Sequence, residues 1–185
     1  MSVAFEGFPK ISRLKRGAIV TEKLDGTNAA IIVTDEGEVF CQSRTKIITV
    51  NSDNKGFANW VERNKAELAQ QLGPGKHFGE WWGSGIQRGY GLNEKRFSLF
   101  NVSRWHYETK DCRCIEAPLC YVVPVLATLD KFSTEAVDEV MANLRKTGSV
   151  ASLGFNNPEG VVVFHTQNEA LYKVTFEYDE TGKGS

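Results

Sequence analysis

Short apolar runs broken by turn residues fill the first third of the chain. Positions 18–22 (A-I-V-T-E) and 27–34 (T-N-A-A-I-I-V-T) have the β-branched character of strands, and 38–42 follows after the turn Asp35-Glu36-Gly37. Leu24-Asp25-Gly26 joins the first two runs. Asp-Gly between such runs predicts a hairpin with Lys23 at its mouth, on the end of a rigid strand. The period then changes. Phe57, Trp60, Val61, Leu68 and Leu72 recur near helical spacing, so one helix is predicted over 53–72, capped by Asn51, Ser52 or Asp53 and ended by Gly73-Pro74-Gly75. Strand character returns at 77–82, 96–102 and 121–125, with Pro124 marking an edge or an end. A second helix is predicted over 133–146. Ser133 caps it, Val137, Val140, Met141 and Leu144 form its apolar face, and Gly148 follows its end. Asn156-Asn157-Pro158 turns the chain into final strands at 160–165 and 170–176. Many short strands with two helices predict an α+β domain of antiparallel sheets flanked by helices.

The 185 residues are enough for one domain, expected over 1–176, with 177–185 a polar tail and no separate C-terminal domain. With 22 Lys and Arg against 23 Asp and Glu, bulk charge does not explain nucleic-acid binding, although a local basic groove stays open. No apolar run approaches the ~20 residues of a membrane span, and residues 1–10 lack the apolar segment of a secretory signal. A cytoplasmic monomer without membrane contact is expected. Cys112-Arg113-Cys114 has the wrong gap for zinc, so these two, Cys41 and Cys120 are expected as reduced thiols. His77, His106 and His165 form no metal spacing. Lys10, Arg13, Lys15 and Arg16 are either a solvated segment or contacts to backbone phosphates. Trp81, Trp82, Trp105, His106 and Tyr107 read as core or rim aromatics.

The candidate chemistry centres on Glu22-Lys23-Leu24-Asp25-Gly26-Thr27-Asn28. A lysine attacks as the free amine, yet lysine side chains ordinarily titrate near ~10.4, so a nucleophilic one needs burial or a charged neighbour. Gly26 is expected to adopt a positive φ and let the backbone approach a ligand. A surface lysine beside an ordinary Asp-Gly turn is the plainer reading of these residues alone.

The run resembles the nucleotidyl-lysine motif of the superfamily of ATP-dependent DNA ligases, RNA ligases and mRNA capping enzymes. Thr27-Asn28 is similar to the RNA ligases of nick-sealing and RNA-editing type. Further matches follow in family order: Ser43-Arg44, Phe78-Gly79-Glu80, the run F-S-L-F-N-V over 97–102, Pro158-Glu159-Gly160-Val161-Val162, and Tyr172-Lys173-Val174. Together they span about 20–176. The resemblance implies an ATP-grasp-like nucleotidyltransferase domain that uses ATP and Mg²⁺ or Mn²⁺. Lys23 would attack the α-phosphate and carry AMP. The AMP would pass to the 5′-phosphate of a strand, RNA in preference, and a 3′-OH would displace it. By the same resemblance Glu22 would contact adenine, Arg44 the ribose or 5′-phosphate, Glu80 the ribose hydroxyls, and Asn28 phosphate or the 5′ end. Asp25 and Gly26 belong to the motif turn. Phe100 would stack on the purine, with Phe97 competing for that role. Glu159 would hold the metal and Lys173 reach the α-phosphate.

Two departures matter. Thr175 stands where the last motif usually has a second lysine, and none of the further domain common in these ligases fits within 177–185. A DNA ligase, a capping-type nucleotidyltransferase, and a nucleotide- or RNA-binding module without turnover are the alternatives. The Gly-rich stretch 83–92 looks like the mobile loop of RNA ligases, in which Gln87 and Arg88 would meet nucleic acid; a plain surface loop is the alternative.

Overall fold

A computed structural model of the chain describes residues 4–14, 16–108 and 111–177. Lys15 and residues 178–185, which hold nearly all of the expected polar tail, lie outside the described residues. The strands are β1 (Ala18–Lys23), β2 (Thr27–Val33), β3 (Val39–Ser43), β4 (Ile47–Ile48), β5 (Gly75–Gly83), β6 (Lys95–Leu99), β7 (Tyr121–Val122), β8 (Val125–Leu129), β9 (Gly160–His165) and β10 (Ala170–Thr175). The helices are α1 (Phe57–Arg63), α2 (Lys65–Leu72) and α3 (Thr134–Thr147).

Two sheets share the strands. One runs β10-β9-β1-β8 and the other β4-β3-β2-β5-β6-β7. The expected α+β class with antiparallel sheets is what the chain adopts, and the pairing of β6 with β7 is parallel. The larger sheet buries one face against α1 and α2 through Ile31, Cys41, Trp81, Phe97 and Leu99, packed on Phe57, Val61, Leu68 and Leu72. The smaller sheet rests on α3, with Ala18, Val20, Val161 and Val163 against Val137, Met141 and Leu144. Ser133 Oγ accepts from the Ala136 N–H at 3.1 Å, the expected cap of α3.

The predicted hairpin at Asp25-Gly26 does not form. β1 pairs with β8 and β9, whereas β2 pairs with β3 and β5, so the turn carries the chain from one sheet to the other. Leu24 explains this. A hairpin would leave it at a solvated tip, but it is buried with Trp82, Tyr90, Val123 and Ala151. The run 121–125 also divides at Val123-Pro124 and supplies β7 to one sheet and β8 to the other. Both crossings therefore meet in one small core beneath the seam. The single helix expected over 53–72 starts later and breaks at Asn64, whose Nδ2 donates to the Trp60 carbonyl at 2.7 Å. Asp53 still acts as a cap, accepting from the Ala58 N–H at 2.7 Å.

Candidate active site

Lys23 ends β1 opposite Gly160 of β9, which places Glu159 beside it, and Nζ lies 2.6 Å from Glu159 Oε2. Both side chains are partly open to solvent, at 24% and 18%. Gly160 is fixed by packing. A Cβ there would collide with the Val174 carbonyl and lie 2.8 Å from Thr175 Cα, so β9 and β10 approach as closely as they do only with glycine. The register continues the row. Lys23, Gly160 and Thr175 face one side of the sheet, and Thr21, Val162 and Lys173 form the next row on that same side. Thr175 is buried and Lys173 is exposed.

Glu22, one residue before, must point to the opposite face. It does. Its carboxylate is buried on the α3 side, where it accepts from Ser149 Oγ at 2.5 Å and from the N–H groups of Val150 and Ala151 at 2.8 and 3.0 Å. Burial pushes its pKa up, opposed by these three donors. This carboxylate anchors the loop after α3.

Gly26 departs from expectation. It is not among the glycines with positive φ. A Cβ at Gly26 would collide with the Trp81 carbonyl and come within 2.8 Å of Trp82 Cβ, so the glycine lets the turn pass tightly over β5. Asp25 is held by two residues of the Gly-rich loop. Its N–H donates to Tyr90 Oη at 2.9 Å, and its Oδ2 lies 2.9 Å from Arg88 Nε. Arg88 is therefore turned inward rather than toward solvent.

The larger sheet supplies the opposite wall. Asn28 stands across from Glu80 and donates from Nδ2 to Glu80 Oε2 at 3.1 Å. Burial raises the Glu80 carboxyl to about 8; Lys23 and the Gly26 N–H oppose the shift, and Glu159 and Asp25 add to it. Arg44 follows β3 and is exposed. Lys23, Asp25, Gly26, Thr27, Asn28, Arg44 and Glu80 line one cleft of ≈ 250 Å³. Phe78 and Phe100 sit on the Glu80 side of the sheet, one row further on, and both are substantially exposed. Phe97 points to the other face and packs on Phe57, so of the two candidate aromatics Phe100 is the one left open for stacking. Thr27, a motif residue to which the resemblance assigns no contact, accepts at Oγ1 from Asn54 Nδ2 at 3.1 Å.

Among the described residues no cluster of three or more His, Cys, Asp or Glu could hold a metal alone. Mg²⁺-like ions are usually held by one or two carboxylates together with substrate phosphates, and Glu159 beside the cleft fits such a shared ion. The cysteines lie elsewhere. All four are buried and free, and burial pushes Cys41 and Cys114 up to about 11 and Cys112 up to about 12. Such thiols are poor nucleophiles and poor ligands at neutral pH. Among the described residues no helix is long and apolar enough to cross a membrane.

A lysine paired with a carboxylate thus lies at the seam of two antiparallel sheets, with a second buried carboxyl and an arginine across the cleft. Residues 17–175 match the RNA ligase family, and the chain belongs to it. A Naegleria gruberi RNA ligase mutant solved with ATP and Mn is similar to 91% of this chain and 52% of its own, at TM-score 0.61 and 21% identity. Another mutant of that ligase with ATP and Mn matches 87% of this chain and 49% of its own, at TM-score 0.59 and 20% identity. The same ligase with PPi gives 87%, 50%, 0.58 and 21%. At this identity the likeness shows the fold. The chain spans about half the length of these solved relatives. No curated protein matches the chain.

Proposed function

We propose that this chain is the adenylylating domain of an ATP-dependent RNA ligase. The observation that carries the reading is Lys23 Nζ at 2.6 Å from Glu159, on the cleft lined by Arg44, Asn28 and Glu80. Nζ attacks the α-phosphorus of ATP. A P–N bond forms, the P–O bond to the β-phosphate breaks, pyrophosphate leaves, and the protons that Nζ sheds before and after attack pass to solvent. The cleft is small for a whole nucleotide, since pockets for such ligands run from about 300 Å³. It suits phosphate and sugar, with the base over the row of Phe78 and Phe100. Arg44 offers its fork to phosphate, Asn28 to phosphate or the 5′ end, and Lys173 comes from the next row of the lysine's sheet to the α-phosphate. Glu80 lies where a ribose hydroxyl would meet it, and at neutral pH its carboxyl is able to donate as well as accept. Glu22 holds Lys23 from behind. A divalent cation held by Glu159 and phosphate oxygens would draw that carboxylate from Nζ and offset the triphosphate charge. The lysine-bound AMP then passes to a 5′-phosphate, and a 3′-OH displaces it to seal the strand, RNA in preference to DNA.

Protein incubated with α-labelled ATP and Mg²⁺ or Mn²⁺ is expected to gain a covalent label that Lys23→Ala abolishes. Absence of label under either metal would sink the reading. A nicked duplex with RNA or DNA ends then tests sealing. One observation favours a second reading, reversible nucleotide binding without turnover. Thr175 occupies the Lys23 row where the family pattern has a cation. Saturable ATP binding without an acid-labile adduct would decide for it.

A further inference from the structure

Lys23 is braced on both sides by side chains from loops distant in sequence. Before it, Glu22 accepts from Ser149, Val150 and Ala151. After it, the Asp25 N–H donates to Tyr90. Ser152 joins the two braces, because its Oγ donates to the Tyr90 carbonyl at 2.9 Å and its N–H donates to Ser149 Oγ at 3.0 Å. Arg88 adds the one cation. Its side chain is 13% exposed, with Nε 2.9 Å from Asp25 Oδ2 and Nη2 2.5 Å from Glu177 Oε1. Nε is buried and poorly aimed for a hydrogen bond, so the Asp25 contact is ionic. The loop that delivers Arg88 is bent through positive φ at Gln87 (44°) and Tyr90 (53°), which side chains resist. A mostly covered guanidinium on a strained loop is costly to keep without a task.

We infer that Arg88 is a positioning residue for Lys23 and acts through Asp25. This rests on the adenylylation reading above. The Asp25 carboxylate lines the same cleft as Lys23. Without the Arg88 contact the turn that carries it, two residues beyond the nucleophile, would lose an anchor, and Lys23 would be held less well for attack. Arg88 holds the carboxylate and neutralises it, while Tyr90 fixes the backbone two residues beyond the nucleophile. A planar fork spans Asp25 and Glu177 together, which a lysine's single point of charge does less well. The effect belongs to the rate of adduct formation rather than to ATP saturation.

The test is single-turnover labelling of the full chain across a range of ATP concentrations. Arg88→Ala is expected to lower the maximal rate roughly 10–100-fold, as misplacing a reacting group does. Half-saturating ATP should move by less than about 3-fold. Arg88→Lys should recover part of the rate. Asp25→Asn should lower it too, and Arg88→Ala added to Asp25→Asn should cost nothing more, because one contact is lost once. An Arg88→Ala protein at wild-type rate, a loss confined to half-saturation, or losses that multiply in the double variant would each overturn the inference. If Arg88→Ala does not fold, Arg88→Lys with and without Asp25→Asn supplies the same cycle. A wild-type protein that forms no adduct overturns the adenylylation reading and this inference with it. A labelled wild type with an unimpaired Arg88→Ala overturns this inference alone.

Discussion

The two sheets face one cleft but are built differently. The larger buries a face under α1 and α2 and packs Phe57 at a tilt against Trp81 and Phe97, with ring centroids 5.3 and 5.2 Å apart. The smaller rests on the single helix α3 and mainly aliphatic contacts. Yet the smaller sheet carries Lys23, Glu159, Lys173 and Thr175, while the larger carries Asn28, Glu80 and Phe100, with Arg44 at the end of β3. On the proposed function, the reacting groups sit on the lighter frame and the groups that would hold a ligand on the heavier one. Precision at Lys23 depends on what ties the frames together: the buried Leu24 cluster, Glu22 in the loop after α3, and Asp25 in the Gly-rich loop.

The largest expected effect tests the inequality itself. Phe97→Ala should cost about 3–5 kcal/mol, because the ring is fully buried among other rings. Leu144→Ala should fall toward the lower end of about 2–5 kcal/mol, since one helix can settle onto its sheet. Denaturant unfolding monitored by far-UV circular dichroism measures both. Equal costs would mean that the frames are not unequal in the sense used here.

How much of this was legible follows the range of the causes. Short apolar, β-branched runs bounded by turn residues placed β1, β9 and β10 almost to the residue, because that signal is carried within each strand itself. Asp25-Gly26 misled because turn chemistry is local, whereas Leu24 finds its partners from Trp82 to Ala151. At the site, the motif residues Lys23, Asp25, Gly26, Asn28, Arg44 and Glu80 meet in one cleft, all but Glu80, which lies within β5, on or beside a strand end. The orientation of Glu22 was available from alternation, since neighbours on a strand cannot share a face. The contacts of Arg88, Tyr90 and Ser152 were not readable, because neither the glycine-rich loop nor the loop after α3 carries a period that says which way its side chains turn.

The joint between the frames comes next in size. Gly26→Ala puts a methyl group against the Trp81 carbonyl and the Trp82 side chain, backbone and buried ring that cannot step aside. Overpacking of this kind costs about 1–3 kcal/mol. Adenylylation should fall further than stability, because the same shift moves Lys23. Thermal denaturation beside ATP labelling separates the two. A variant that loses stability and keeps its labelling rate would show that the joint does not position the lysine.

Glu80 sharpens the comparison through pH. Its folded pKa, about 8, lies above the ordinary carboxylate value of 4.5, so the fold favours the neutral form. That contribution is fully present below about pH 4.5 and is lost as pH rises through about 8. Glu80→Gln, neutral throughout, should therefore gain stability relative to the wild type across that window, by at least ~1 kcal/mol, and level off above it. A melting-temperature difference that stays constant over this range would remove the buried, neutral Glu80 from the picture.

The smallest effect on stability should come with a clear effect on function. Arg44 is exposed beyond the end of β3, and its removal should change stability by no more than about 0.5 kcal/mol, as for most surface positions. If the heavier frame holds ligand while the lighter one reacts, Arg44→Ala should raise half-saturating ATP, or half-saturating 5′-phosphorylated strand, and leave the maximal rate of labelling nearly unchanged. Losing one charge-assisted contact corresponds to roughly 1.5–3 kcal/mol, which is a factor of about 10–100 in that concentration. The Lys23 side of the cleft predicts the opposite split, with rate lost and saturation kept. Should Arg44→Ala instead lower the maximal rate at full saturation, the arginine acts on the phosphorus as it reacts, and the division of labour between the sheets fails where it was easiest to see.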